Sequence, residues 1–480
     1  MISRTLIAVV FALLPVAPAK AGVSPTEARD GRLRAARAWL EAQVDTYLVP
    51  GAAAAIVHDQ DVVFAHGLGV EDTATEAPVT PDTRFSVCSI SKLFTSTAVM
   101  MLRDRGKLRL DEPLARYIND LKLDRGDLGD DPVTVRDTLS HVAGVPRDGP
   151  PNQWVGMNFP TRAMLLDAAA TQTMLYDPST TFQYSNVGMA LLGLVVEKVS
   201  GKPHNKFVED EIMAPLGMKT ATADLPNKEL GKGFSRGYNL RSKSGPRKPI
   251  DPYTLDALSP AAGVAASVND LASFARWQFR LLDTGKTELL ERATLREMHR
   301  GHVHDVYEDS TFGLGYYWIK HDGDPLVGHG GWCPGYRASF FMHVPDAIAV
   351  TVMVNVNDAD PIRMGQQIYG LTAGAIIAAE DGQSTTTDDA KNWSDYEGRY
   401  QFGDFSSALY IAPGEDGLDV ISLNSDAPSS DITTLVPSDD DDVFVRKLKR
   451  GDTGEPVRFE RDAAGNVVAL WWHNQRYPQR

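Results

Sequence analysis

Between residues 30 and 48, apolar side chains fall at Leu33, Ala36, Trp39, Leu40 and Val44 among charged neighbours. That period of about 3.6 predicts an amphipathic helix. The pattern then changes. Residues 52–57 are small and apolar, 58–61 (His-Asp-Gln-Asp) are polar, and 62–65 are apolar again, which predicts a hairpin. After a break at Pro81-Asp82-Thr83, Leu93, Phe94, Thr97, Met101 and Leu102 repeat at helical spacing. They predict a helix from about 89 to 105, stopped by Gly106. Residues 110–300 carry mostly helical pattern, with loops at 144–153 and 241–252. Strand pattern returns at 338–343 and 349–354 on either side of Pro345-Asp346, and 361–378 is a helix apolar enough to be buried. Strands at both ends of this region and helices between them predict an α+β fold: an antiparallel sheet joined from the two chain ends, flanked by helices, with a helical insert.

Residues 379–392 are polar and supply no core residue, as a linker would. Beyond them come short apolar runs at 396–400, 408–412, 418–423, 443–448, 457–461 and 467–472, punctuated by Gly, Asp and Pro. Such spacing predicts a small all-β barrel or sandwich. The expected division is therefore 30–378, a linker at 379–392, and a β-domain at 393–480. The acidic run 439–442 reads as a solvated loop.

At 480 residues the chain exceeds one core, in keeping with that division. Its formal charge is −15, which argues against nucleic acid as a partner. Arg4, the apolar run 6–17 and Ala19-Lys20-Ala21 form the pattern of a secretory signal over residues 1–21. No other stretch is long and apolar enough to span a bilayer. A periplasmic or secreted protein is expected, and export would let the two cysteines, Cys88 and Cys333, keep a disulfide.

Candidate chemistry begins at Ser89-Ile90-Ser91-Lys92. Positions three apart share a helix face, so a hydroxyl and an amine can meet there. A serine needs a base to become a nucleophile, and a lysine can be that base if burial lowers its pKa. Tyr184-Ser185-Asn186 adds a second proton carrier and an amide that can bind a substrate carbonyl. His329-Gly330-Gly331, ahead of a predicted strand, adds glycines that let a substrate backbone lie close. Each motif is weak alone. Tyr117/Asn119 and His321/Gly323 repeat two of them elsewhere in the chain.

Taken together, residues 85–95, 139–146 (Leu-Ser-His-Val-Ala-Gly-Val-Pro), 182–188 and 328–335 resemble the serine β-lactamase-related family. That group holds class C β-lactamases, D-alanyl-D-alanine carboxypeptidases, D-aminopeptidases and some carboxylesterases. The resemblance covers about 30–378. It implies a β-lactamase/transpeptidase-like fold and an acyl-enzyme mechanism without cofactor or metal. In it Ser89 attacks, Lys92 and Tyr184 move the proton, and the N–H groups of Ser89 and Trp332 hold the oxyanion. Asn186, His329, Gly330, Gly331 and Trp332 would bind substrate. His329 stands where class C enzymes carry lysine, which favours peptidase or esterase chemistry over efficient β-lactam hydrolysis. Peptides or amides containing D-amino acids are the expected substrates. An esterase or β-lactamase on the same scaffold is the alternative, and a penicillin-binding or scaffold protein without turnover is the non-enzymatic one. The resemblance places Cys88 beside Cys333 and implies a disulfide between them. It makes His141 structural and leaves Trp154 as either a cleft-lining residue or a loop anchor. Residues 396–400 (Tyr-Glu-Gly-Arg-Tyr) resemble the lipocalin-like barrels appended to some members, through which a homo-oligomer could form. His299, His302 and His304 cluster in sequence, but no acidic or cysteine ligand follows at a zinc-site spacing and the segment reads as a surface loop, so no metal is expected there.

Overall fold

The structure, a computed structural model, describes residues 23–243, 245–306, 309–380, 393–403, 408–448 and 451–480. The expected signal segment 1–21 and residues 381–392 of the expected linker lie outside the described residues.

Strand Gly51–His58 is buried along nearly its whole length, on both faces. Side chains alternate across a strand. Ala53, Ala55 and Val57 therefore enter one core, while Ala52, Ala54 and Ile56 enter another. This strand is the second in an eight-stranded antiparallel sheet, next to one edge. In order its members are Asp61–Gly69, Gly51–His58, Ile348–Val354, Tyr336–His343, Asp324–Cys333, Tyr317–His321, Ser310–Phe312 and Val303–Asp305. Ala52 lies opposite Val354 and His58 opposite Ile348, so the two ends of the region do meet in one sheet.

The first core packs the sheet against the helices Ser91–Asp104, Asn186–Ser200 and Val268–Thr284. The second packs its other face against Pro25–Thr46 and Pro361–Glu380. The N-terminal helix starts earlier than its apolar period predicts. Ser24 caps it, accepting from Glu27 N at 3.2 Å. Its first turn faces a different partner: Val23 and Ala28 are buried in the core of the C-terminal sheet.

That second sheet is an eight-stranded antiparallel meander from Gly398–Gln401 to Gln475–Pro478. A bridge between Tyr400 and Gln479, and the bond from Arg480 N to Arg399 O at 2.8 Å, bring the last strand to the first and nearly close a barrel. Strands Thr433–Pro437 and Gln475–Pro478 escape the sequence pattern, because few of their side chains are buried. The first predicted strand starts late, at Gly398, after a 3-10 turn over Trp393–Tyr396. Tyr400, Ile411, Leu418, Leu435, Phe444, Val457 and Leu470 fill the interior. The barrel docks on the N-terminal helix. A Cβ on Gly31 would lie 2.8 Å from Pro413 Cδ, Arg32 pairs with Asp419 at 2.8 Å, and Trp39 Nε1 donates to Ser425 O at 3.0 Å. The barrel thus lies on the sheet face opposite the helix that follows Ser89. Among the described residues no helix is long and apolar enough to cross a membrane.

Candidate active site

Ser89 lies in a 3-10 turn, Cys88–Ile90, and the α-helix proper begins at Ser91, not at 89. Cys88 adopts φ +52°, a left-handed conformation that no α-helix continues. Ser91 Oγ stitches the turn, donating to Cys88 O at 2.6 Å and accepting from Val264 N at 2.9 Å. Ser89 is half-buried.

Lys92, one turn on, is fully buried. Its Nζ lies 3.1 Å from Ser89 Oγ, 2.8 Å from Asn186 Oδ1 and 2.9 Å from Ala261 O. Burial pushes its pKa well below the usual lysine range; Asp148 opposes that and Arg147 reinforces it. A neutral lysine has two N–H bonds and one lone pair. Asn186 Oδ1 and Ala261 O are acceptors only, so they take the two N–H bonds. In that neutral form the lone pair would be left for Ser89; a protonated Lys92 donates to Ser89 Oγ instead.

Tyr184 stands over this group, with Nζ 4.9 Å from its ring centroid. Burial raises its phenol pKa; an interaction with Ser89 and the charge of Arg147 work the other way. The Arg147 guanidinium lies 5.1 Å from the same ring. Tyr184 precedes helix Asn186–Ser200, capped by Ser185, whose Oγ accepts from Gly188 N at 2.8 Å. His141 supports the segment: its Nδ1 accepts from Ser185 N at 3.2 Å and its ring lies 4.6 Å from that of Tyr184.

The opposite wall is the strand Asp324–Cys333. His329, Gly330 and Gly331 lie within it, not ahead of it; glycine carries little strand signal, which hid its extent. A Cβ on Gly331 would sit 2.2 Å from Val87 O and 3.2 Å from Cys88 Cβ. The strand thus abuts the Ser89 turn, and a Cys88–Cys333 disulfide, Cα–Cα 5.7 Å, joins them. His329 is buried, and burial together with the Lys92 charge pushes its pKa down to about 3. Its Nδ1 lies 2.5 Å from Gly330 O, an acceptor, so that nitrogen carries the proton and Nε2 offers a lone pair. Trp332 is 53% exposed and its ring lies 6.4 Å from that of Trp154.

A family model described as Beta-lactamase matches residues 36–373, the part of the chain that builds this arrangement. The chain belongs to the Beta-lactamase family. Its relatives include the protein flp of Staphylococcus aureus (strain MRSA252), 23% identical over 328 residues, which are 66% of this chain and 63% of flp. Penicillin-binding protein 4 of Amycolatopsis lactamdurans is 29% identical over 318 residues, 64% of this chain and 80% of that protein. This chain therefore matches less than two thirds of the length of flp. Solved structures that share the fold include two of note. One is the octameric penicillin-binding protein homologue from Pyrococcus abyssi, at TM-score 0.63, 24% identity and coverage of 92% of this chain and 98% of that one. The other is a D-stereospecific amidohydrolase from Streptomyces, at TM-score 0.58, 24% identity and coverage of 72% and 99%.

In this Beta-lactamase-family chain, Ser89, Lys92, Tyr184, Asn186 and His329 surround one site, and Gly331, Trp332 and the disulfide lie alongside it. Sequence reasoning missed Arg147, Asp148 and the Ala261 carbonyl. Asp148 Oδ1 accepts from Asn186 Nδ2 at 2.7 Å, Trp154 Nε1 at 2.8 Å and Gln153 Nε2 at 3.3 Å. The only signal for it was an acidic residue in the loop directly after residues 139–146. Trp154 is thereby both held in its loop and set beside Trp332.

The three histidines that cluster in sequence have different partners, and the first of them is not on a surface loop. His299 ends helix Arg292–His299, is buried, and bonds Gln278 Oε1 through Nε2 at 2.9 Å. His302 Nε2 bonds Glu297 O at 2.9 Å, and His304 lies on strand Val303–Asp305. A helix end, a coil and a strand send the three rings to different partners.

Proposed function

We propose that this chain is an exported serine hydrolase that cleaves an amide or ester through an acylated Ser89, most suitably in peptides or amides containing D-amino acids. One observation carries the reading: Lys92 is buried with two pure acceptors on its nitrogen and Ser89 as its remaining neighbour. Ser89 Oγ would bond to the substrate carbonyl carbon while its proton passes to the Lys92 lone pair. The carbonyl oxygen becomes an oxyanion, received by the N–H groups of Ser89 and Trp332. Tyr184, kept a neutral phenol by burial, has a proton to give to the leaving nitrogen or oxygen as the tetrahedral species collapses. Water then attacks the acyl carbonyl and gives its proton to the Tyr184 oxygen, while Lys92 returns its proton to Ser89 Oγ as the acid leaves.

His329 bears on the substrate. As a neutral ring it offers an acceptor, where a lysine would offer a cation, so it suits an N–H or O–H of the substrate better than a carboxylate. Trp332 and Trp154 add an apolar wall at the mouth. In this reading residues 30–378 are the hydrolase domain and 393–480 an appended barrel.

The test is a panel of D- and L-aminoacyl amides, p-nitrophenyl esters and β-lactams, with intact-mass detection of the acyl-enzyme on wild type and Ser89→Ala. A D-amide adduct on wild type and none on the variant is the expected result. Turnover of esters alone would assign an esterase. A stable penicillin adduct without release would assign a binding protein. An adduct that survives Ser89→Ala would end the proposal.

A further inference from the structure

Asn186 sits between Lys92 and Asp148, and those neighbours decide which way its amide faces. A carboxylate oxygen only accepts, so the group within 2.7 Å of Asp148 Oδ1 must be the amide nitrogen. The amide carbonyl is then the group 2.8 Å from Lys92 Nζ. Were the amide reversed, its N–H would point at the lysine and compete with Ser89 for the lone pair. Asp148 is itself held, by Trp154 Nε1, by Gln153 Nε2 and by an ion pair from Arg147 Nε to Oδ2 at 3.4 Å. A chain of directed bonds therefore runs from Asp148 through Asn186 and Lys92 to Ser89.

We propose that Asp148 is a positioning residue, which locks the Asn186 amide so that the Lys92 lone pair is left facing the Ser89 hydroxyl. This rests on the acyl-enzyme reading above and extends it beyond the three motifs. It also revises the expected part of Asn186: one N–H is committed to Asp148, and only the other is open to substrate. Lys92 is faced by Tyr184 and Asn186 from the 182–188 motif, by Ala261 O, by Arg147 and Asp148 from the loop, and by the charges of His141 and His329 when these are protonated. Of these, Asp148 is the one acidic side chain, and it fixes an amide on the lysine.

The experiment measures the second-order rate at which a fluorophosphonate phosphonylates Ser89 in the full chain across pH, with fluoride as the leaving group. Asp148→Asn keeps the shape but can donate, so the Asn186 amide loses its direction. The rate should fall roughly 10- to 100-fold, part of what a general base contributes. Its acid limb should move to lower pH, because the charge that favours protonated Lys92 is gone. Asp148→Glu, still acceptor-only, should stay within about fivefold of wild type with its limb unmoved. In an Asn186→Ala background, Asp148→Asn should cost little more. A wild-type rate and profile in Asp148→Asn, a loss with an unmoved limb, a Glu variant as impaired as the Asn variant, or an undiminished effect in the Asn186→Ala background would each overturn the proposal. Failure of wild type to be labelled at Ser89 would instead overturn the reading of the site itself.

Discussion

Gly331 presses on the Val87 carbonyl: the Cβ of any other residue would lie 2.2 Å from that oxygen. The contact is backbone against backbone and cannot be relieved by turning a side chain. Gly331→Ala should therefore push the strand away from the Ser89 turn, at a cost of about 1–3 kcal/mol. Thermal melting and acylation should both be impaired. Gly330→Ala is the comparison, since its Cβ would meet side chains and no backbone, Ile362 Cδ1 at 2.6 Å and Tyr317 Oη at 2.9 Å. If the two variants were equally active, the close approach would not position the site.

Cys88 and Cys333 are 245 residues apart in the chain and joined in the fold. Closing a long loop restricts the unfolded chain, so the Cys88→Ala/Cys333→Ala variant should lose roughly 2–4 kcal/mol. Urea unfolding would measure the loss, and a thiol assay of denatured wild type should find no free cysteine. Two titratable thiols in wild type would refute the bridge.

His299 predicts how stability depends on acid. Burial holds its folded pKa down to about 3, whereas the unfolded chain would take the proton near 6.5. Between those values the unfolded state binds more protons, so stability rises with pH and is lost as pH falls from 7 towards 3. His204, lowered to about 4, and His329, lowered to about 3, have the same sign. His299→Gln should flatten the slope of unfolding free energy against pH below 6.5. Identical slopes in wild type and variant would contradict the assignment.

Trp332 is the most accessible aromatic beside Ser89, and it leans towards Trp154. Trp332→Ala should lower kcat/KM for a D-phenylalanyl amide about tenfold more than for a D-alanyl amide. Equal losses on both would mean that the ring has no part in selecting the side chain.

The helix after Ser89 and the hairpins 51–69 and 336–354 were legible because their apolar periods are set by burial on fixed faces. The three motifs were legible because chemistry restricts which residue types can serve. Strands Val303–Asp305, Ser310–Phe312 and Tyr317–His321 left a faint pattern, since few of their side chains are fully buried. The extent of the glycine strand was hidden for a different reason: glycine is there to admit a neighbour, and the neighbour is remote in sequence.

What the chain determined by itself was local: which segments bury a face, and which residue types can attack, accept a proton or permit close approach. What only the tertiary structure decided was direction. The partners of Lys92 Nζ, the facing of the Asn186 amide and the proton on His329 depend on the Ala261 carbonyl, on Asp148 and on the Gly330 carbonyl. Hydrogen bonds are directional, and the partners of Lys92 and Asn186 come from segments that periodicity treats as unrelated, so no linear pattern records them.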